Sequence, residues 1–163
     1  MPKLEDIIAY LLVRLPERSA RVPFVTQLLY LADWRSAISN HHQLTDLGWR
    51  YGDGGAEAEG LEDAIRLAPA LKVAEVGPGA HERGDLVSLR EETPQPQLSD
   101  DEERVLEVVL RAALGRSWPQ LLQLSSSTYP LLVNPQHTDL DLPTLAAEYR
   151  EVSEERESVS VGR

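Results

Sequence analysis

The 163-residue chain contains no cysteine. That single absence excludes disulfides, thiol nucleophiles, thiolate zinc sites and iron–sulfur clusters. Basic charge is also scarce: 16 Lys and Arg face 27 Asp and Glu, for a net charge of −11 and an isoelectric point near 4.8. A surface of that sign repels phosphate backbones and anionic lipid, so nucleic acid and membrane surfaces are disfavoured as partners. No apolar run approaches the roughly 20 residues that span a bilayer, and the first residues lack the layout of a signal peptide. A cytoplasmic protein is the expectation. Two catalytic signatures are missing as well, the Gly-x-Ser-x-Gly of a nucleophile elbow and the Gly-Lys-Ser/Thr ending of a phosphate loop.

What is present is the composition of one ordinary globular domain, 42% hydrophobic and 26% charged. The acidity is uneven. Residues 1–81 hold 8 basic and 11 acidic side chains, whereas residues 82–163 hold 8 and 16. Much of the excess falls in Glu91–Glu107 and Glu148–Glu157.

Leu4, Ile7, Ile8, Leu11, Leu12 and Leu15 recur at helical spacing, and Pro16 ends that helix. A second helix opens at Pro23 and runs to about Ser39. Its apolar residues cover most of its circumference, which predicts a buried central helix. Leu47–Tyr51 reads as a short extended segment that stops at Gly52-Asp53-Gly54-Gly55, and Glu57–Ala68 reads as a helix closed by Pro69. Leu71–Val76 and Asp85–Arg90 predict a β-hairpin around a glycine-rich loop. A helix followed by a hairpin resembles a winged helix.

Residues 91–97 read as an internal linker. Ser99-x-x-Glu102 and Ser117-x-x-Gln120 are capping boxes that start two more helices. Asp141 with Pro143 starts a last helix through Tyr149, and residues 151–163 are expected to be a disordered acidic tail. The predicted fold is mainly α (α+β): a single compact domain over 1–150, with a buried central helix and a small β-hairpin.

The run Gln27-Leu28-Leu29-Tyr30-Leu31-Ala32-Asp33-Trp34 resembles the central helix motif of the Panacea (SocA-like antitoxin) domain. An amphipathic helix precedes it, and the Trp49-Arg50-Tyr51-Gly52 segment and a further helix follow it, as in that family. Leu98-Ser99-Asp100-Asp101-Glu102 and Thr128-Tyr129-Pro130 match its second half in style, so the likeness covers roughly 3–150. Gln27 stands where the family usually has Lys, and Asp53 where it usually has Pro. The resemblance implies a bacterial or phage antitoxin that neutralises a toxin by binding it, in some members delivering it to a protease. It implies no catalytic residues.

His41 and His42 with Asp33 and Asp46 have the residue types of a metal site, but adjacent histidines point apart and solvated loop histidines fit better. His81 and His137 sit alone. The glycines at 52–55 precede a helix, yet Asp53, Glu57 and Glu59 would repel an anion. Ser125-Ser126-Ser127 lacks the setting of a nucleophile, so neither catalytic residues, metal nor cofactor are expected. Trp34, Arg35, Trp49, Arg50 and Tyr51 are the candidate protein-binding residues, because Trp, Tyr and Arg dominate interface hot spots. For Trp34 and Trp49 core packing is an equal alternative, and for Trp118 the favoured one. The expectation is a non-catalytic antitoxin whose partner is a cognate, basic toxin. The alternatives are a winged-helix-like DNA-binding regulator or a structural subunit of an immunity or phage assembly.

Overall fold

The computed structural model describes residues 2–75, 84–90 and 95–161, with side chains as far as 157. The loop of the expected hairpin (76–83, with His81) and the start of the linker (91–94) lie outside the described residues.

Helix α1 (Leu4–Arg14) buries the stripe formed by Ile7, Ile8, Leu11 and Leu12, and stops before Pro16. One 3-10 turn, Pro16–Arg18, leads into strand β1 (Ser19–Arg21). Helix α2 (Val22–Asn40) takes the centre of the molecule, because its apolar residues ring the helix and each side needs cover. Helices α4 (Asp100–Ala113), α5 (Trp118–Ser126) and α7 (Leu142–Val161) supply most of that cover. Leu28, Leu29 and Ala37 are fully enclosed. At the far end of α2, Arg150 of α7 donates to the carbonyls of Ala37 and Ile38, both at 3.0 Å, satisfying groups that a helix terminus leaves open.

The expected hairpin is present as β4 (Leu71–Ala74) and β5 (Leu86–Leu89), paired antiparallel with Val73 opposite Val87. Strand β1 adds to its other edge, giving a three-stranded sheet of order β1-β5-β4. Helix α3 (Leu61–Leu67) leads into this hairpin as the helix before a wing does, but a second pair of strands lies between α2 and α3, so the order of elements departs from that of a winged helix. The fold is therefore α+β, and the expected single hairpin is one of two small sheets.

The second sheet was not anticipated. Gly52-Asp53-Gly54-Gly55 was expected to fall outside regular structure. Instead β2 (Trp49–Gly52) and β3 (Gly55–Ala58) pair through it, with Gly52 opposite Gly55, and Asp53-Gly54 forms the two-residue turn. Asp-Gly is a strong hairpin signal in its own right, although here the residue at positive φ is Gly55, at +116°, where β3 begins. The helix expected from Glu57 consequently starts only at Leu61, after Gly60 at φ +79°. A two-residue strand β6 (Asp139–Leu140) joins the other edge of β2, preceded by the short helix α6 (Tyr129–Val133).

A second correction concerns the end of the chain. Helix α7 does not stop at Tyr149 but continues to Val161, through the segment expected to be disordered. Sparse apolar residues there remove tertiary packing, not helical propensity, and Glu and Arg are good helix formers.

Both capping boxes form as expected. Ser99 Oγ accepts from the Glu102 amide at 3.2 Å, while Glu102 Oε1 accepts from the Ser99 amide at 2.8 Å. Ser117 and Gln120 repeat the exchange at 3.3 and 2.8 Å. Ser99→Ala is expected to lower unfolding stability by about 1 kcal/mol, read from urea denaturation, because it strands an N-terminal amide of α4.

Candidate functional site

Four buried residues with polar groups recur along α2 at a spacing of three: Gln27, Tyr30, Asp33 and Ser36. Each binds a different part of the chain. Gln27 Nε2 donates to the Ala56 carbonyl of β3 at 3.1 Å. The Tyr30 hydroxyl meets Thr128 Oγ1 at 2.7 Å, and since Thr128 already donates to the Ser125 carbonyl, Tyr30 is the donor. Ser36 Oγ donates to the His42 carbonyl at 2.7 Å.

Asp33 is the centre of this series. Its Oδ1 accepts from the Thr45 amide at 2.9 Å. Its Oδ2 accepts from Thr45 Oγ1 at 2.5 Å, Trp49 Nε1 at 2.8 Å and Gln43 Nε2 at 3.3 Å. Gln43 also donates to the carbonyls of Thr45 and Leu47, so the loop between α2 and β2 is folded around one carboxylate. The donors are neutral. Burial raises the Asp33 carboxyl above its ordinary value, and the hydrogen bonds from Thr45 and Trp49 oppose the rise.

This arrangement settles where the candidate binding residues stand. Trp49 is 2% exposed, tied to Asp33 and set edge-on to Tyr30 with centroids 5.5 Å apart. Trp34 is 7% exposed and meets Tyr149 of α7 edge-on at 5.7 Å. Both tryptophans are core residues, correcting their place in the candidate surface. Arg35 is exposed and lines a groove beside α4 with Arg104 and Arg111. Arg50 is exposed elsewhere, donating to the His137 carbonyl at 3.4 Å, with half-buried Tyr51 next to it. His137 Nε2 in turn lies 3.0 Å from Asp53 Oδ1 in the β2–β3 turn. The five residues thus separate into a core pair, one arginine beside α4, and an Arg50–Tyr51 edge.

Asp33 does not join His41 and His42 around a metal, since both its oxygens face the donors named above. Among the described residues no three His or carboxylate side chains are grouped as a metal site requires.

A groove of about 600 Å³ lies between the start of α2, β3, α3 and α5. Gln27, Trp118 and Leu122 line it, with Glu62 among its residues. Sequence reasoning weighed Asp33 only as a metal ligand and Gln27 only as a departure from the family motif, and missed both as buried hydrogen-bonding centres. The available signal was the three-residue recurrence of Gln27, Tyr30, Asp33 and Ser36 within a helix whose apolar residues cover most of its circumference.

Asp33→Asn turns one acceptor into an amino group facing the donors of Trp49 or Thr45. It is expected to cost about 1–3 kcal/mol for each donor left unpaired, measured by urea unfolding at neutral pH. Because burial raises the folded-state pKa above the ordinary 3.8, the folded chain holds this proton more tightly than the unfolded one. The carboxyl's contribution to stability therefore falls as pH rises through the raised value, then levels off. The stability gap between wild type and Asp33→Asn is expected to narrow over that window.

Compared with models of protein families, with curated proteins and with solved structures, the chain finds no match.

Proposed function

We propose that the chain is a non-catalytic binding protein for a basic protein partner, acting as an antitoxin that neutralises a toxin by direct contact. The observation that carries the reading is the charge on α3, the helix that leads into the β4–β5 hairpin. Glu62 and Asp63 in its first turn are exposed, and Glu57 and Glu59 are exposed just before it. Arg66, the cation of α3, is engaged by Asp85. A helix of that composition repels a phosphate backbone and attracts a basic protein surface. The resemblance of Gln27–Trp34 and Trp49–Gly52 to the Panacea domain supports the same reading from the sequence side. The resemblance also makes delivery of the toxin to a protease a possible role, and cytoplasmic placement fits such a partner. No helix among the described residues is long and apolar enough to cross a membrane.

One observation favours a DNA-binding regulator instead, namely that α3 runs directly into the hairpin of the β1-β5-β4 sheet. A helix followed by a hairpin does not by itself make a DNA reader, and the charge on α3 has the wrong sign.

Co-expression with the product of the adjacent gene tests the proposal. The expected result is a co-purifying complex and relief of that product's toxicity. Glu62→Lys with Asp63→Lys is expected to slow association by about tenfold at low salt and by less at high salt. A chain that neither binds nor detoxifies its neighbour, or that retards its own promoter DNA in a gel-shift assay, overturns the proposal.

A further inference from the structure

Exposed apolar surface is gathered on two neighbouring helices. Of the eight large hydrophobic side chains that stand exposed among the described residues, four lie on α6 and α7: Leu132, Val133, Tyr149 and Val152. Leu132 is 68% exposed. Tyr129 joins the two helices, its ring centroid 5.6 Å from that of Tyr149. Leu132 and Val133 stand three and four residues beyond Tyr129 on α6, and Val152 stands three beyond Tyr149 on α7. Residues at that spacing share a helix face, so both ends of the ring contact carry further apolar side chains. The result is one strip from the end of α6 across the two rings to Val152. Single exposed apolar residues are ordinary, but a contiguous strip marks a place of contact.

The charge beside the strip has one sign. Glu148 and Glu155, four residues before Val152 and three after it, border it on α7, and Glu151 lies one step further round. All three are exposed. The arginines of α7 do not offset them freely, since Arg150 is bonded to the carboxyl end of α2 and Arg156 also has a partner. The helix itself runs on past Arg150 from Glu151 to Val161, about 16 Å at 1.5 Å per residue. Of the side chains described there, all but Ser153 are exposed. That length equals about three turns of a second helix laid alongside. A second copy of this chain fits poorly, because a two-fold interface would bring the same carboxylates together on chains that each carry −11.

We infer that the α6–α7 strip is the docking surface for an amphipathic basic helix of the partner protein. Its apolar face covers Leu132, Tyr149 and Val152, and its lysines or arginines lie beside Glu148, Glu151 and Glu155. The inference rests on the proposed reading that the partner is a basic protein, and it deepens that reading by naming where and in what form the partner is held. Helices packed side by side sit about 8–10 Å apart, which brings charges that flank the apolar seam within reach of one another. A neutral apolar helix would cover the strip but leave three carboxylates beside it without counter-charge. Phosphate backbones and anionic lipid would be repelled by the same carboxylates.

The test titrates three acetylated, amidated peptides into the full chain by NMR at low salt. The first is two Leu-Lys-Ala-Leu-Lys-Lys-Ala heptads in tandem, the second a scramble of that composition with no apolar face, the third a twin with Glu in place of Lys. The first is expected to shift the Leu132 and Val152 methyl signals and the Tyr149 ring, and to slow amide exchange along 151–161. It is expected to bind at least tenfold more tightly than either control. Leu132→Gln with Val152→Gln is expected to weaken it about tenfold at an unchanged melting temperature, since both positions are exposed. Glu148→Gln with Glu155→Gln is expected to weaken it about tenfold at low salt and by less at high salt, whereas Asp101→Asn on α4 leaves it unchanged. Equal binding of the first peptide and either control, shifts remote from α6 and α7, or an equal loss in Asp101→Asn overturns the inference. So does a shift that follows protein concentration without peptide, which marks a second copy of this chain as the occupant. Once a complex with the neighbouring gene's product exists, unchanged affinity on combining Leu132→Gln and Val152→Gln overturns the docking surface alone. If no complex forms, the antitoxin reading falls and the peptide titration still decides the surface.

Discussion

The polar series on α2 is the constraint on which the rest of the structure depends. Gln27, Tyr30, Asp33 and Ser36 recur every three residues, and each three-residue step lags the helix turn by about 60°. The series therefore winds round α2 instead of marking one face. Each side chain meets a different element as it turns: β3, the Ser125–Thr128 turn, the loop before β2, and the turn at His42. Apolar packing alone would let neighbouring helices slide on such a helix at small cost. Hydrogen bonds that must be made at fixed heights and fixed angles do not allow it, because a buried polar group without a partner is penalised.

Asp33 holds this position without a cation. Neutral donors fixed around a carboxylate avoid burying a second charge, and the geometry they need is supplied by backbone and short side chains. Surface ion pairs contribute less to specificity. Asp101 and Arg104 lie 3.2 Å apart but are mostly exposed, where such a pair adds little. Tyr10 and Glu107 do more, since the phenol donates at 2.7 Å from a nearly buried ring and joins α1 to α4. Burial and that hydrogen bond push the Tyr10 hydroxyl up to about 12. The same bond and the Arg14 guanidinium hold the Glu107 carboxyl below its ordinary value.

Elements defined by local chemistry could be read from the sequence. The capping boxes at Ser99 and Ser117 need only four consecutive residues, and the burial of α2 needs only its own composition. The β4–β5 hairpin showed itself through two β-favouring runs around glycine. By contrast, the Asp53-Gly54 hairpin was hidden because four glycine-rich residues suggested an end to structure, whereas two of them are strand termini. Helix α7 beyond Tyr149 was hidden because packing and helicity had been equated. The candidate site was the least legible part. Whether Trp34 and Trp49 face solvent or core depends on Tyr149, 115 positions beyond Trp34, and on a carboxylate in another element. No local pattern encodes such distances. Arg35, Arg50 and Tyr51 remain outside the core, but in two places.

The hydroxyl of Tyr30 has its partner 98 residues further on. Everything needed to form α2 as a helix is available once residue 40 has been made, yet its buried phenol is satisfied only when the Ser125–Thr128 turn has arrived. Arg150, which closes the far end of the same helix, comes later still. The two halves of this molecule are thus not successive folding units. During synthesis the central helix must wait with its apolar surface uncovered, and loop closure over most of the chain precedes the final structure. A chain built in this way is slow to commit and exposed while it waits, and a partner bound early would shield the surface that the second half later covers.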